Sequence, residues 1–252
     1  MNEGILVPAT SEVAATLLSK HTLPLGLKAD SNNSPWDKTE RANFTLLWTG
    51  QRHVFITCFH VLSRFQEMQK QNPSAKIVAY IDIFPSLAEL HGFTLLDYSK
   101  RLDVAVFRGL EDIVELPERQ FIDFESSYLV DPVVGEPVSV VGYPGATVTL
   151  TPKKADLGFM HIGFMASCVS EQRIILANEN GGWRFTDYDD PTRSSIALGG
   201  LSGSPAFVHR NQVPRFVGIV TDASDKDQTI IISRLGCIKR DGTLDHNAIP
   251  QW

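Results

Sequence analysis

The chain has 252 residues, 43% hydrophobic and 21% charged, which is enough apolar material for a sizeable core in one or two compact units. A formal net charge of −6 and the lack of any basic tract of five or more residues exclude a general nucleic-acid binder. No apolar run approaches the roughly 18 residues that a membrane span needs, and three cysteines without CxxC spacing read as reduced thiols rather than a zinc site.

The expected setting is therefore cytoplasmic, with no nucleic-acid or membrane partner and no metal or other cofactor. The opening "MNEGILVPATSEVAATLLSK" is acidic where an export signal is basic, and Pro8, Ser11 and Glu12 break its apolar stretch. Residues 12–21 carry a helical pattern with Ser11 as N-cap candidate. Most later apolar runs are short, rich in Val, Ile, Thr and Phe, and bounded by Gly, Pro, Asn or Asp, which is the pattern of strands. They fall at 43–49, 53–57, 76–84, 104–108, 137–143, 173–177, 215–221 and 229–233. "TGQR" between the first two reads as a hairpin turn. One further helix is expected over 61–71, directly after the strand at 53–57. The acidic segment 110–136, with Pro117 and Pro132, reads as a connector between two strand-rich halves. Strands at such short intervals indicate an all-β protein of barrels or a sandwich.

Against that background the stretch "GGLSGSPAF" (199–207) sets a serine among glycines just before an apolar run. A serine hydroxyl becomes a nucleophile only beside a base, usually histidine, that a carboxylate orients. Both partners stand in comparable settings. His60 in "VFITCFHVLSRF" lies where a strand gives way to a helix, and Asp103 in "RLDVAVFRG" lies at the mouth of an apolar strand. Each has an ordinary reading when taken alone: a capping histidine, a strand-start aspartate, a tight glycine turn. The order His, Asp, Ser on an all-strand chain is what joins them.

These stretches resemble the trypsin/chymotrypsin-like serine peptidases. That family carries a "TAAHC"-like strand end, a "DIAL"-like strand start and a "GDSGGP" loop; here they stand as "ITCFHV" (56–61), "LDVAVF" (102–107) and "GLSGSP" (200–205). "GEPVSVVGYPG" (135–145) and "FVGIVT" (216–221) echo the strand that opens the second barrel in bacterial members and the strand that lines the cleft. The resemblance implies two antiparallel six-stranded β-barrels with the active site in the seam between them. It places an N-terminal extension at 1–40, the first barrel at 41–130 and the second, with the C-terminal tail, at 131–252. His60 is then the general base, Asp103 its orienting carboxylate and Ser202 the nucleophile, and the N–H groups of Gly200 and Ser202 form the oxyanion hole. Ile196 and Ala197 floor the primary specificity pocket, and Thr221, Asp222 and Ala223 wall it.

Leu201 replaces the family's zymogen-type aspartate and so offers no charge to a newly cut N-terminus. Ser204 replaces the family's second glycine, and Cys58 is expected to be a buried thiol. Asp222, Asp225 and Asp227 either draw a basic side chain to the pocket rim or form a solvated acidic turn. His21, His53, His91, His161, His209 and His246 show no metal-ligand spacing and are expected to be structural. The implied activity is a bacterial-type endopeptidase acting on a protein or peptide, with a regulatory or effector protein as a further partner. The rival from another class is a catalytically inactive fold that binds peptides. An esterase fits less well, because an α/β-hydrolase carries its triad in another order.

Overall fold

The computed structural model describes residues 17–28, 41–83, 86–90, 92–109, 119–124, 131–145, 148–151, 154–157, 159–177, 198–211, 213–224, 226–227 and 229–249. Its first half contains β1 (Thr22–Lys28), β2 (Arg41–Trp48), β3 (His53–Thr57), α1 (Phe59–Gln71), β4 (Lys76–Ile83), β5 (Ser86–Leu90), β6 (Thr94–Ser99), β7 (Val104–Arg108) and β8 (Ile122–Asp123). The second half contains β9 (Pro137–Gly142), β10 (Val148–Thr151), β11 (Lys154–Leu157), β12 (Met160–Val169), β13 (Arg173–Ala177), β14 (Pro205–Arg210), β15 (Val213–Ser224) and β16 (Thr229–Ser233).

The second half closes as the expected six-stranded antiparallel barrel, in the order β12-β13-β16-β15-β14-β9. Alternation does the work here. Along β12, Met160, Ile162, Phe164 and Ala166 point inward, and along β13 so do Ile174 and Leu176. With Val138, Val140, Val208, Val220, Ile230 and Ile232 they form an aliphatic core. The first half is a curled sheet in the order β5-β4-β1-β2-β3-β7-β6, with β8 added beside β2, and its described pairs do not close. Its concave side is filled by Phe44, Phe55, Phe107, Leu25, Leu46 and Ile77, and α1 adds Val61 and Leu62.

β1, β5, β6, β8, β10, β11 and β12 lie outside the strands read from the sequence. The stretch assigned to an extension ending at residue 40 contains β1, which lies between β2 and β4. Pro24 and Gly26 hide it, since both are poor strand formers. Pro24 is tolerated because it pairs with Asn43 of β2 and lies before β4 begins its ladder at Leu25. β12 lies outside the predicted strands because Gly163 and polar His161 break its apolar run, although its burial alternates cleanly. Within the expected connector 110–136, β8 pairs in parallel with β2 at Leu47 and Trp48. The other strand limits agree within a few residues, and those at 53–57, 104–108, 173–177 and 229–233 coincide.

A third apolar cluster joins the halves. Leu47, Val54, Ile56, Val104 and Val106 pack against Val141, Phe207, Phe216, Ile219 and Leu235. This seam is where the candidate residues meet. Among the described residues, no helix is long and apolar enough to cross a membrane.

Candidate active site

β3 and β7 are antiparallel neighbours with Thr57 opposite Ala105, so the residues just after β3 stand beside those just before β7. That register brings His60 and Asp103 together. His60 lies in the first turn of α1, where backbone N–H groups have no partner within the helix. Cys58, at the N-cap, supplies no side-chain bond to them. Asp103 does so instead: its Oδ1 accepts from the His60 N–H at 2.8 Å, and its Oδ2 lies 2.7 Å from His60 Nδ1. Two contacts to one residue set the carboxylate's orientation. Asp103 adopts φ 55°, in the left-handed region that Asp tolerates better than most residues.

His60 Nε2 lies 3.1 Å from Ser202 Oγ. With Nδ1–H donating to Asp103, Nε2 is the unprotonated nitrogen and accepts the Ser202 hydroxyl. The His60 side chain is 47% exposed and that of Asp103 24%, so the chain of bonds opens to the cleft at its histidine.

Ser202 sits in a turn anchored to the other half of the molecule. The Asn43 N–H donates to Ser202 O at 2.7 Å, and Asn43 Nδ2 donates to Gly200 O at 2.7 Å. Asn43 Oδ1 accepts from the Tyr143 N–H at 2.9 Å, and Thr45 Oγ1 donates to Gly203 O at 2.7 Å. The two glycines are there for different reasons. Gly203, at φ 84°, would place a Cβ 2.0 Å from Asn43 O; Gly200, at φ 91°, would place one 2.5 Å from Gly145 N. Leu201 is buried in the barrel core, where it packs as an apolar side chain. Among the described residues, the N–H groups of Gly200 and Ser202 make no hydrogen bond, in contrast to those of Leu201, Gly203 and Ser204.

A cavity of about 420 Å³ opens here, lined by His60, Asp103, Ser202, Gly200, Thr221, Asp222 and Ala223 together with Leu198, Gly199, Arg173 and Ile231. Thr221, Asp222 and Ala223, the expected wall residues, line this cavity together with Ser202. Ile196, Ala197 and Asp225 lie outside the described residues. Sequence reasoning missed Asn43 and Arg173. The signal for Asn43 was a fully buried-type position in a strand, "RANFTLLW", held by an amide; for Arg173 there was none, because β13 reads as an ordinary strand.

Cys58 Sγ is fully buried and donates to Val220 O at 3.1 Å, as expected of a structural thiol. Burial, reinforced by the Asp103 charge, pushes its pKa well above the ordinary thiol range, so it stays neutral beside the serine. Cys58, His60 and Asp103 offer ligand atoms within 4.8 Å of one another. An ion there would have to displace the His60–Asp103 bond and take the proton from that thiol. Among the other histidines, His21 bonds Gln120 O, His53 stacks on Trp48 and Phe121, His209 meets Ser139, His246 meets Asp97 and His161 is half-buried on β12, while His91 lies outside the described residues.

With this geometry in place, comparison with known proteins gives one family. The sequence profile described as the trypsin-like peptidase domain matches residues 46–219, and the chain belongs to that family. It is a hydrolase-type, peptidase-type domain. No curated protein matches the sequence. Among solved structures, Deg5 shares the fold at a TM-score of 0.53 and 11% identity, over 90% of this chain and 91% of that one. The inactive form of a serine-to-alanine mutant of Rv3671c from M. tuberculosis H37Rv aligns over 94% of this chain and 91% of that one, at 14% identity and a TM-score of 0.48.

Proposed function

We propose that this protein is a serine endopeptidase that cleaves a protein or peptide substrate through an acyl-enzyme. The observation that supports this most is the unbroken chain of hydrogen bonds from Asp103 through His60 to Ser202. Ser202 Oγ attacks the scissile carbonyl as its proton passes to His60 Nε2, and Asp103 stabilises the imidazolium. The imidazolium then gives that proton to the leaving amine. Water repeats the sequence on the ester, with His60 again taking and returning a proton. The unbonded N–H groups of Gly200 and Ser202 are the donors for the oxyanion, each worth about 2.7–4 kcal/mol in the transition state.

An open strand edge supports a peptide as the substrate. β14 stops pairing with β15 at Ile219; beyond the bulge at Thr221, and among the described residues, Asp222–Ser224 pair only with β16. The other edge of that segment faces the cleft beside Ser202, where an extended chain can add as a further strand. The setting we propose is the cytoplasm, where the free thiols Cys58, Cys168 and Cys237 stay reduced, and an active peptidase there calls for control by a protein partner.

The test is a fluorophosphonate serine probe together with a peptide library. Labelling at Ser202 that Ser202→Ala removes, with turnover of at least one peptide, is the expected result. Stoichiometric peptide binding with neither labelling nor turnover would establish the inactive binding fold instead.

A further inference from the structure

Arg173 lines the cleft yet has no part in the chemistry above. It opens β13, and its outward direction follows from alternation: Ile174 and Leu176 enter the barrel core while Arg173 faces out. Its backbone is held tightly. Arg173 N–H donates to Ser170 Oγ at 3.0 Å, and the Ser170 N–H and hydroxyl both donate to Arg173 O at 2.9 Å. At the other end, Nη2 crosses the seam and donates to Arg101 O at 3.1 Å, in the turn that precedes Asp103. The side chain is thus aimed by both halves of the molecule.

A guanidinium has five N–H donors in a planar fork, suited to a carboxylate. One donor is used here. Neither carboxylate that lines the same cavity pairs with the guanidinium: Asp103 is held by His60, and the bond Asp222 makes is local, from the Ala223 N–H to Oδ1. Among the described residues, no carboxylate forms an ion pair with Arg173. A cation with open donors, fixed at both ends and facing the substrate cleft, is a receptor for an anion that arrives with the substrate.

We infer that Arg173 selects substrates carrying an acidic side chain, Asp or Glu, on a residue neighbouring the one whose carbonyl is attacked. This rests on the endopeptidase reading and names its substrate class. Arg173 contacts the Asp103 turn, at the end of the triad away from Ser202, so it serves a neighbouring residue. The side chain of the attacked residue lies against Thr221–Ala223 at the Ser202 end. Successive side chains of an extended peptide point to opposite sides, so adjacent positions cannot both meet Arg173, and the reach of one side chain singles out one of the alternate positions.

The experiment uses one cleavable peptide in which Glu, Gln or Lys is placed in turn at each position flanking the cut. The wild-type protein is compared with Arg173→Glu and Arg173→Met. In the wild type, Glu at one position should raise kcat/KM over Gln by roughly two- to fivefold, and Lys should lower it, since the pair is partly exposed. The preference should shrink as salt is raised. Arg173→Glu should reverse the order to Lys over Glu, and Arg173→Met, which keeps the aliphatic stem, should abolish it. Fluorophosphonate labelling of Ser202 reports whether each variant retains its site, and if Arg173→Glu loses labelling the comparison is read from Arg173→Met. Labelled variants that keep the wild-type order of Glu, Gln and Lys overturn the role of Arg173 while leaving the peptidase standing. A wild-type protein that neither labels nor cleaves overturns the peptidase and this inference with it.

Discussion

The two halves of the molecule solve the same problem with different material. The second is a closed barrel whose core is almost wholly aliphatic, with every barrel strand paired on both sides. The first is an open curl packed with aromatic rings. Phe44 alone meets Phe55, Phe93 and Phe107 at 5.7, 4.8 and 5.8 Å between ring centres, and Phe55 meets Phe121 at 5.7 Å. Closure lets backbone hydrogen bonds hold a barrel's shape around small branched side chains. A sheet that does not close depends on large side chains to fill its concave face, and edge-to-face rings do that with added attraction. The proposed catalytic groups are divided the same way: His60 and Asp103 come from strand ends of the open half, and Ser202 from a turn of the closed one.

The sharpest test of that division is activity. Ser202→Ala and His60→Ala, one from each half, should each lower kcat by on the order of 10⁶-fold, and the double variant should lose little more, because the groups act as a unit. Melting temperatures should change little, as both side chains lie at the cleft surface. A double variant whose losses multiply would mean that the two halves contribute separately.

Stability should show the contrast between the two cores. Phe44→Ala in the open half should cost about 3–5 kcal/mol, and Ile232→Ala in the closed barrel about 2–5, with Phe44 the larger because three ring contacts go with it. Denaturant midpoints at unchanged slope are the measurement. A larger loss at Ile232 would overturn the account of aromatic filling.

Asn43 ties the halves together, so its loss should be felt across the seam. Asn43→Ala leaves Gly200 O and the Tyr143 N–H without their side-chain partner and should cost about 1–3 kcal/mol. Turnover should fall further than stability does if the Gly200 N–H is the oxyanion donor proposed above. Asn43→Ala with full kcat would show that the nucleophile turn keeps its shape without the first half.

A pH-dependent test lies on the outside of the closed barrel. Burial, helped by neighbouring His209, lowers the pKa of His161 to about 4, and His161 Nε2 is buried with no hydrogen-bond partner among the described residues. Unfolded, the ring titrates near 6.5. Between these values the unfolded chain binds more protons, so stability should fall as pH drops from about 6.5 toward 4. Thermal melts of the wild type and His161→Gln across that window should show a shallower fall in the variant. Parallel curves would assign the acid sensitivity to other groups.

By itself the sequence determined what depends on near neighbours along the chain. Strands at 53–57 and 104–108 were legible because β-branched and aromatic runs end at turn residues, and His60, Asp103 and Ser202, which the fold brings within hydrogen-bond reach, each sit at such an end. The glycines at 200 and 203 marked a turn that needs positive φ. The tertiary structure decided what depends on partners distant in sequence. β1 is a strand despite Pro24 and Gly26 because β2 and β4 supply its ladder, a gain that outweighs weak local propensity. Asn43 acquires its role from Ser202 and Gly200, more than 150 residues on. Arg173 becomes part of the cleft only because β13 pairs with β16 and brings its guanidinium to the turn before Asp103. Local pattern records the conformation a segment can adopt, while a hydrogen bond across the seam exists only once both halves have folded against each other.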